Sequence, residues 1–486
     1  MRRRASLLFV MASLLAACAH DASRGTGTED AVNMRLVGQN DLQGRSAYQP
    51  TIQHQGRRWI AYIGHHGDRK INPLTGVVED NGTSVVDVTD PAHTRYLAHI
   101  PGEPGKAELG GAQMVRVCTG SQLPRADKSR FYMLRTYGNQ AQQVWDVTVP
   151  EHPSLLTTVV AGLKGTHKNF WECDTGIAYL VSGDPAWRTS RMTKIYDLSD
   201  PQHPVFIRDF GLPGQQPGAT GPVPVALHGP ISIGPKGNRV YFGYGTSADG
   251  VLQIVDRQKL LTGPKEPTPE NLLAPQVGRL DMPPINGAHT VFPLLRVDVP
   301  EFARNFVGHT RDFVVITDEA IQKECMEARQ MVWVVDITTE SKPFGVANYT
   351  VPEASGHYCS QGGRFGTHSS NENMTPLFYN RLMFFAHFNA GVRVLDVRNP
   401  MNPREVAHFV PAVTDNTVVL EAPASAAGSK LPFTAASDRR AIQTNNVEVD
   451  DRGYIYIVDR ANTGLHILEL TGPARDIADW RAAVRD

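Results

Sequence analysis

The sequence has little excess charge, few thiols and only one long apolar run. Its 486 residues carry 48 Lys and Arg against 49 Asp and Glu, a formal net charge of −1. With no basic surplus to neutralise phosphates, the balance argues against a nucleic-acid binder. Charged residues make up 20% and hydrophobic ones 41%, which excludes a disordered chain, a collagen and a coiled coil. There are five cysteines, none in a CxxC pair, so no zinc-ligand spacing is present. No G-x-S-x-G elbow, Walker loop, dinucleotide fingerprint or H-E-x-x-H pair occurs. A Ser-His-Asp triad cannot be read from chain order alone. What is plentiful is Gly (43) and Pro (34), together above the roughly 12% of average usage. That enrichment suits a turn-rich all-β chain of many short strands.

The apolar run lies at the N-terminus. Arg2, Arg3 and Arg4 precede an apolar stretch at 5–17, too short for a bilayer span of about 20 residues. It ends in Leu15, Ala16, Ala17 and Cys18, which resembles a bacterial lipobox. The resemblance implies an exported chain, cleaved before Cys18 and anchored by acyl chains on it. Ala19 follows instead of an Asp retention signal, so in a Gram-negative host the outer membrane is the expected destination. Residues 1–17 read as signal peptide and 18–33 as a flexible tether. Four cysteines remain: Cys118, Cys173, Cys325 and Cys359. An oxidising compartment and an even count point to disulfides, with four buried free thiols as the alternative.

Self-similarity organises the rest. Five segments align without gaps: VVDVTDPAHTRYLAHI (85–100), VWDVTVPEHPSLLTTV (144–159), IYDLSDPQHPVFIRDF (195–210), VVDITTESKPFGVANY (334–349) and VLDVRNPMNPREVAHF (394–409). Two degenerate copies are LQIVDRQKLL (252–261) and LHILELTGP (465–473). The acid recurs at Asp87, Asp146, Asp197, Asp256, Asp336, Asp396 and Glu469. Each copy reads as a strand, a turn with Asp and Pro, and a second strand. The acid is read as a turn-former rather than a catalyst. Two further strands precede most copies, giving four per repeat, the size of a propeller blade. The sequence thus predicts an all-β, seven-bladed β-propeller over 34–472. Met34, Arg35, Leu36, Val37 and Gly38 would supply the missing last strand and close the ring, and 473–486 would form a short helical tail. Segments 263–285 and 411–440 read as lids or loops.

The D-x-x-x-P turns and the segment FNAGVRVLDVRNPMNP (388–403) resemble the LVIVD-repeat proteins, a family of exported bacterial propellers. The resemblance covers about residues 34–470 and implies the fold. It implies no activity, since the family has no single assigned function.

Aligning the first strand of each repeat gives a polar column: Gln49, Gln113, His167, His228, His289, His368 and Asn445. In a propeller these positions line the axis, and four neutral imidazoles converging there make a site for one transition metal ion, Fe or Cu ahead of Zn. The pattern is similar to the four-His iron site of carotenoid-cleaving oxygenases. It is distantly similar to the copper-binding, selenium-binding-protein-type methanethiol oxidases. Only the ring histidines match, so no substrate carries over. Glu172, Glu319 and Glu372 are candidates for orienting the imidazoles. His65, His66, Arg364, His387 and Asn389, with Asp68, Asp459 and Arg460, are placed at the same mouth, where they suit a small polar or anionic ligand. The alignment puts Cys118 and Cys173 in neighbouring blades, favouring Cys118–Cys173 and Cys325–Cys359 pairs. Two functions follow as expectations. One is a metal-dependent oxidoreductase in the cell envelope. The other is a non-catalytic propeller that binds a small ligand or an envelope protein. Passive metal storage is a third.

Overall fold

The computed structural model describes residues 29–306, 308–420 and 439–484. The expected signal peptide, Cys18 and most of the tether lie outside them. Among the described residues no helix is long and apolar enough to cross a membrane.

The chain is all-β and built mainly of four-stranded antiparallel sheets. The first runs Ala47–Gln55, Arg58–Gly67, Thr83–Asp87, Arg95–Ile100, with Ala107–Ala112 added beside the far end of the second strand. The next four sheets begin with Val115–Thr119, Asn169–Trp171, Leu227–Ser232 and Thr290–Asp298, each followed in order by three more strands. The last sheet has nine strands, but one residue pair, Phe388 with Thr444, joins its two halves. One half holds Phe365–Ser370 through Arg404–Val410, the other Thr444–Val449 through Leu465–Leu470. The first strands of successive units contact one another in a closed circuit, the last returning to Ala47–Gln55. Apolar side chains of adjacent sheets interlock between them, as where Tyr179, Val181 and Ile195 meet Leu227, Val240 and Phe242.

The repeated acid does what its turn requires. Asp87, Asp146, Asp197 and Asp336 each accept the backbone N–H two residues on, at 2.8–3.0 Å. Asp256 departs from the pattern. It caps a helix, Arg257–Thr262, by accepting from Lys259 N at 2.9 Å. The fourth strand of that sheet is postponed to Gln276–Asp281, so 263–285, read as a lid or loop, carries a helix, Pro269–Leu273, and a ladder strand.

Two boundaries differ from the sequence reading. Met34–Asn40 pairs with Leu465–Leu470 as expected. The preceding Asp30–Val32 is a strand as well, pairing with His408–Val410, so the tether stops short of residue 33. The edge of Arg404–Val410 offers free N–H and C=O groups, and three extended residues satisfy them. The tail expected as helix at 473–486 is not helical over most of its described residues. Only Gly472–Arg475 is helical, after which the chain folds back and Trp480 Nε1 donates to Arg475 O at 2.7 Å. Two disulfides, Cys118–Cys173 and Cys325–Cys359, each span 5.4 Å between Cα atoms. The first ties the second sheet to the third.

Candidate metal centre

The four ring histidines meet on the axis. Ring centroids are 4.6 Å apart for His167 and His228, 3.6 Å for His228 and His289, and 4.4 Å for His289 and His368. All four are buried. A local irregularity aims two of them, and one sits at Asn445 beside them. His228 is an extra residue between the paired Leu227 and Gly229, and Asn445 one between Thr444 and Asn446. His368 lies in a wider bulge between Phe365 and Ser369. A bulge turns a residue out of the ladder plane: at His228 and His368 the ring turns toward the axis, whereas at Asn445 the carbonyl serves the site.

The hydrogen bonds fix which nitrogen each ring presents. His228 Nδ1 donates to the His289 carbonyl at 3.0 Å, and His368 Nδ1 donates to the Asn445 carbonyl. A ring whose N–H is spent on a carbonyl keeps a bare Nε2 lone pair, the arrangement usual for a metal-ligating histidine. His289 Nε2 is buried with no hydrogen-bond partner. His167 Nε2 lies 2.9 Å from His228 Nε2 and 3.0 Å from the Tyr48 hydroxyl. Burial holds all four imidazoles well below their ordinary range, so they are neutral near pH 7.

One carboxylate completes the set. Glu319 Oε2 lies 3.9 Å from His289 Nε2 and Oε1 lies 3.7 Å from His368 Nε2. Arg364 Nη1 donates to Oε1 at 3.0 Å. Burial pushes the Glu319 carboxyl up, while Arg364 opposes that. The ligand atoms of His228, His289 and Glu319 all lie within 4.8 Å of one another, so this group could hold a metal ion.

The other candidates separate clearly. His66 belongs to the site: its ring is 5.2 Å from that of Tyr48, and its Nε2 is 3.4 Å from Glu108 Oε1. Arg364 belongs through Glu319. Asn445 contributes its carbonyl rather than its side chain, which turns to Tyr48 O and Asn446. Gln49 does not face the axis. It meets Asn446, and Tyr48 takes its place, because the bulge after Ala47 holds two residues opposite one and reverses the alternation. Gln113 is buried with Oε1 unpartnered.

Two of the three glutamates are corrected. Glu172 binds Arg257 through both oxygens and also takes Ser232 and Tyr179, locking adjacent sheets together away from the axis. Glu372 lies on the axis but in another layer. There Lys168 and Arg116 both pair with it, and Lys168 Nζ donates to Thr290 at 3.0 Å. This cluster draws on the second, third and fifth sheets and the last, and so plugs the axis beside the histidines. His65 is likewise structural, held by Ser84 at 2.6 Å and Ser46 O at 3.2 Å. Asn389 ties down Tyr358 O and Gly362 O, both at 2.9 Å. His387 has both ring nitrogens unpartnered and lies beside Tyr349, off the site. Its neighbour Phe388, at φ 44°, packs on His368 instead.

Sequence reasoning missed Tyr48 and Glu108. Tyr48 could have been found by testing both parities of the first strand. Glu108 comes from a strand, Ala107–Ala112, that has no counterpart in the other repeats.

Fold and site together define a β-propeller-like all-β protein with a histidine–glutamate cluster on its axis. No family model matches the chain, and no curated protein matches it. Among solved structures it is similar to Raptor of Chaetomium thermophilum, with a TM-score of 0.52 and 10% identity. The likeness takes in 92% of this chain and 30% of that one, and at such identity it concerns the fold alone.

Proposed function

We propose that this chain is an exported, lipid-anchored, seven-bladed propeller of the LVIVD-repeat type whose axis holds one iron ion, and that it is a metal-dependent oxidoreductase. The closed circuit of first strands supports seven blades, each half of the nine-stranded sheet counting as one. The observation that carries the function is the donor set. His228, His289 and Glu319 present two imidazoles and one carboxylate, with His368 and His167 beside them. Two histidines and a carboxylate with positions left open is the ligand set typical of Fe(II) oxygen chemistry. An all-nitrogen set drawn from the four histidines would suit copper instead. When bound, the ion would supply a Lewis acid with redox capacity. The chain's own part is to keep the nitrogens deprotonated by burial and to fix the rings through the His289 and Asn445 carbonyls.

The test is metal content. Full-length chain, extracted in detergent and purified without a His tag, is analysed by plasma mass spectrometry beside a His228→Ala, His289→Ala double variant. The expected result is about one iron per folded chain, lost in the variant. No metal in either protein after reconstitution with Fe(II), Cu and Zn refutes the enzyme reading. It would leave a binding propeller, in which His167 simply donates to His228.

A further inference from the structure

Outward from the imidazoles lies a second set of charges. Arg364 and Arg460 are buried, with 8% and 7% of their side chains exposed. Each is only partly used. Arg364 bonds through Nη1, to Glu319 Oε1 at 3.0 Å and Ala320 O at 3.3 Å. Arg460 bonds through Nη2, to Glu108 Oε1 at 2.8 Å. Their Nε and remaining Nη donors have no partner among the described residues. These N–H groups are reachable from solvent rather than sealed, so an acceptor entering the mouth can meet them. Arg460 acts electrostatically on both Glu319 and His368. Half-buried Arg191 bears on Glu319 and His167 from another sheet. Three cations thus surround two carboxylates before any metal is added.

Glu108 shows what the place accepts. It lies on the added strand Ala107–Ala112, between Gly105 and Gly110, and its side chain is 43% exposed. Its carboxylate reaches both Arg460 and, at 3.4 Å, the His66 ring. It is a carboxylate seated at the mouth on a strap, over the imidazole cluster.

We propose that this mouth binds a small carboxylate, held by the idle donors of Arg364 and Arg460, and that Glu108 is the internal stand-in it displaces. The inference deepens the proposed function by naming the ligand class, and it rests on that reading only for the ion beneath. The planar fork of arginine matches a carboxylate with two parallel hydrogen bonds. An ion on the cluster would add positive charge on the inner side. The ligand would therefore lie between arginine donors and metal, with the Lys168–Glu372 plug closing the axis on the other layer.

The test is calorimetric titration of the full-length protein with oxalate and with acetate, alongside iron analysis of the same samples. Oxalate is expected to bind. Glu108→Gln is expected to tighten binding about threefold or more by freeing Arg460, and Arg460→Gln to weaken it about tenfold. Melting curves check that both variants fold. Failure of oxalate and acetate to bind both the wild type and Glu108→Gln at about 10 mM, in samples that carry iron, overturns the carboxylate site and leaves the metal reading intact. Binding that depends on Arg460 in samples that stay metal-free after reconstitution with Fe(II), Cu and Zn supports the carboxylate site and sinks the metal reading.

Discussion

Glu372→Gln separates a structural carboxylate from one that serves the metal. In the structure Glu372 touches Lys168 and Arg116 but none of the imidazoles. Lys168 is 3% exposed and Glu372 2%, so removing the carboxylate leaves a buried ammonium and a mostly buried guanidinium without their counter-charge. Breaking a buried pair in this way costs about 3–5 kcal/mol. A chain of this size unfolds with an entropy near 1 kcal/mol per kelvin, so the midpoint should fall by about 3–5 °C. Near-UV circular dichroism on heating reads that shift, and plasma mass spectrometry of the same sample should show iron at the wild-type ratio. Lys168→Met added to Glu372→Gln should recover part of the loss, because one cation rather than two then lacks a partner. The reasoning is refuted if Glu372→Gln melts within about 1 °C of wild type but loses its metal. That outcome would mean the carboxylate acts on the imidazoles after all.

The disulfides and a second buried carboxylate also bear on stability. The loops closed by Cys118–Cys173 and Cys325–Cys359 span 55 and 34 residues. Loop entropy then assigns each bridge about 4 kcal/mol, so a Cys118→Ser, Cys173→Ser variant should unfold at clearly lower guanidinium, and an unchanged midpoint would contradict this. Burial and the neighbouring Glu372 push Glu448 from its ordinary 4.5 up to about 7. The folded state therefore keeps a proton that the unfolded chain sheds, and stability falls as pH rises from about 4.5 to about 7 and stays lower above it. Glu448→Gln should remove that slope and gain about 3 kcal/mol at pH 8; denaturant titrations at pH 5 and 8 that move in parallel for both proteins would exclude it.

The repeats were legible because their turns need Asp at one position, and five copies place it without a gap. The histidines were legible because equivalent positions in a closed circuit converge. What the sequence hid was parity. Two residues in one bulge replaced Gln49 by Tyr48 on the axis, and Phe388, at a left-handed φ, packs on His368 while His387, expected at the mouth, lies off the site. Neither distortion has a signature in residue type. The glutamates were misplaced for another reason. Glu172 and Glu372 are defined by cations remote in sequence, Arg257 and Lys168, and only the fold brings these together. Glu108 was out of reach because its strand is an addition to one repeat.

The pairing of Met34–Asn40 with Leu465–Leu470 also sets a schedule. Arg35 and Glu469, which meet across it, are 434 residues apart. At about 5–20 residues per second of synthesis, the first of these strands waits on the order of 20–90 s for the second to be made. Throughout that interval an extended segment has its ladder groups unmatched and can pair with a neighbouring chain. The strand made earliest is thus among the last to be secured, and the protein's yield depends on what shields those seven residues while the ring is still open.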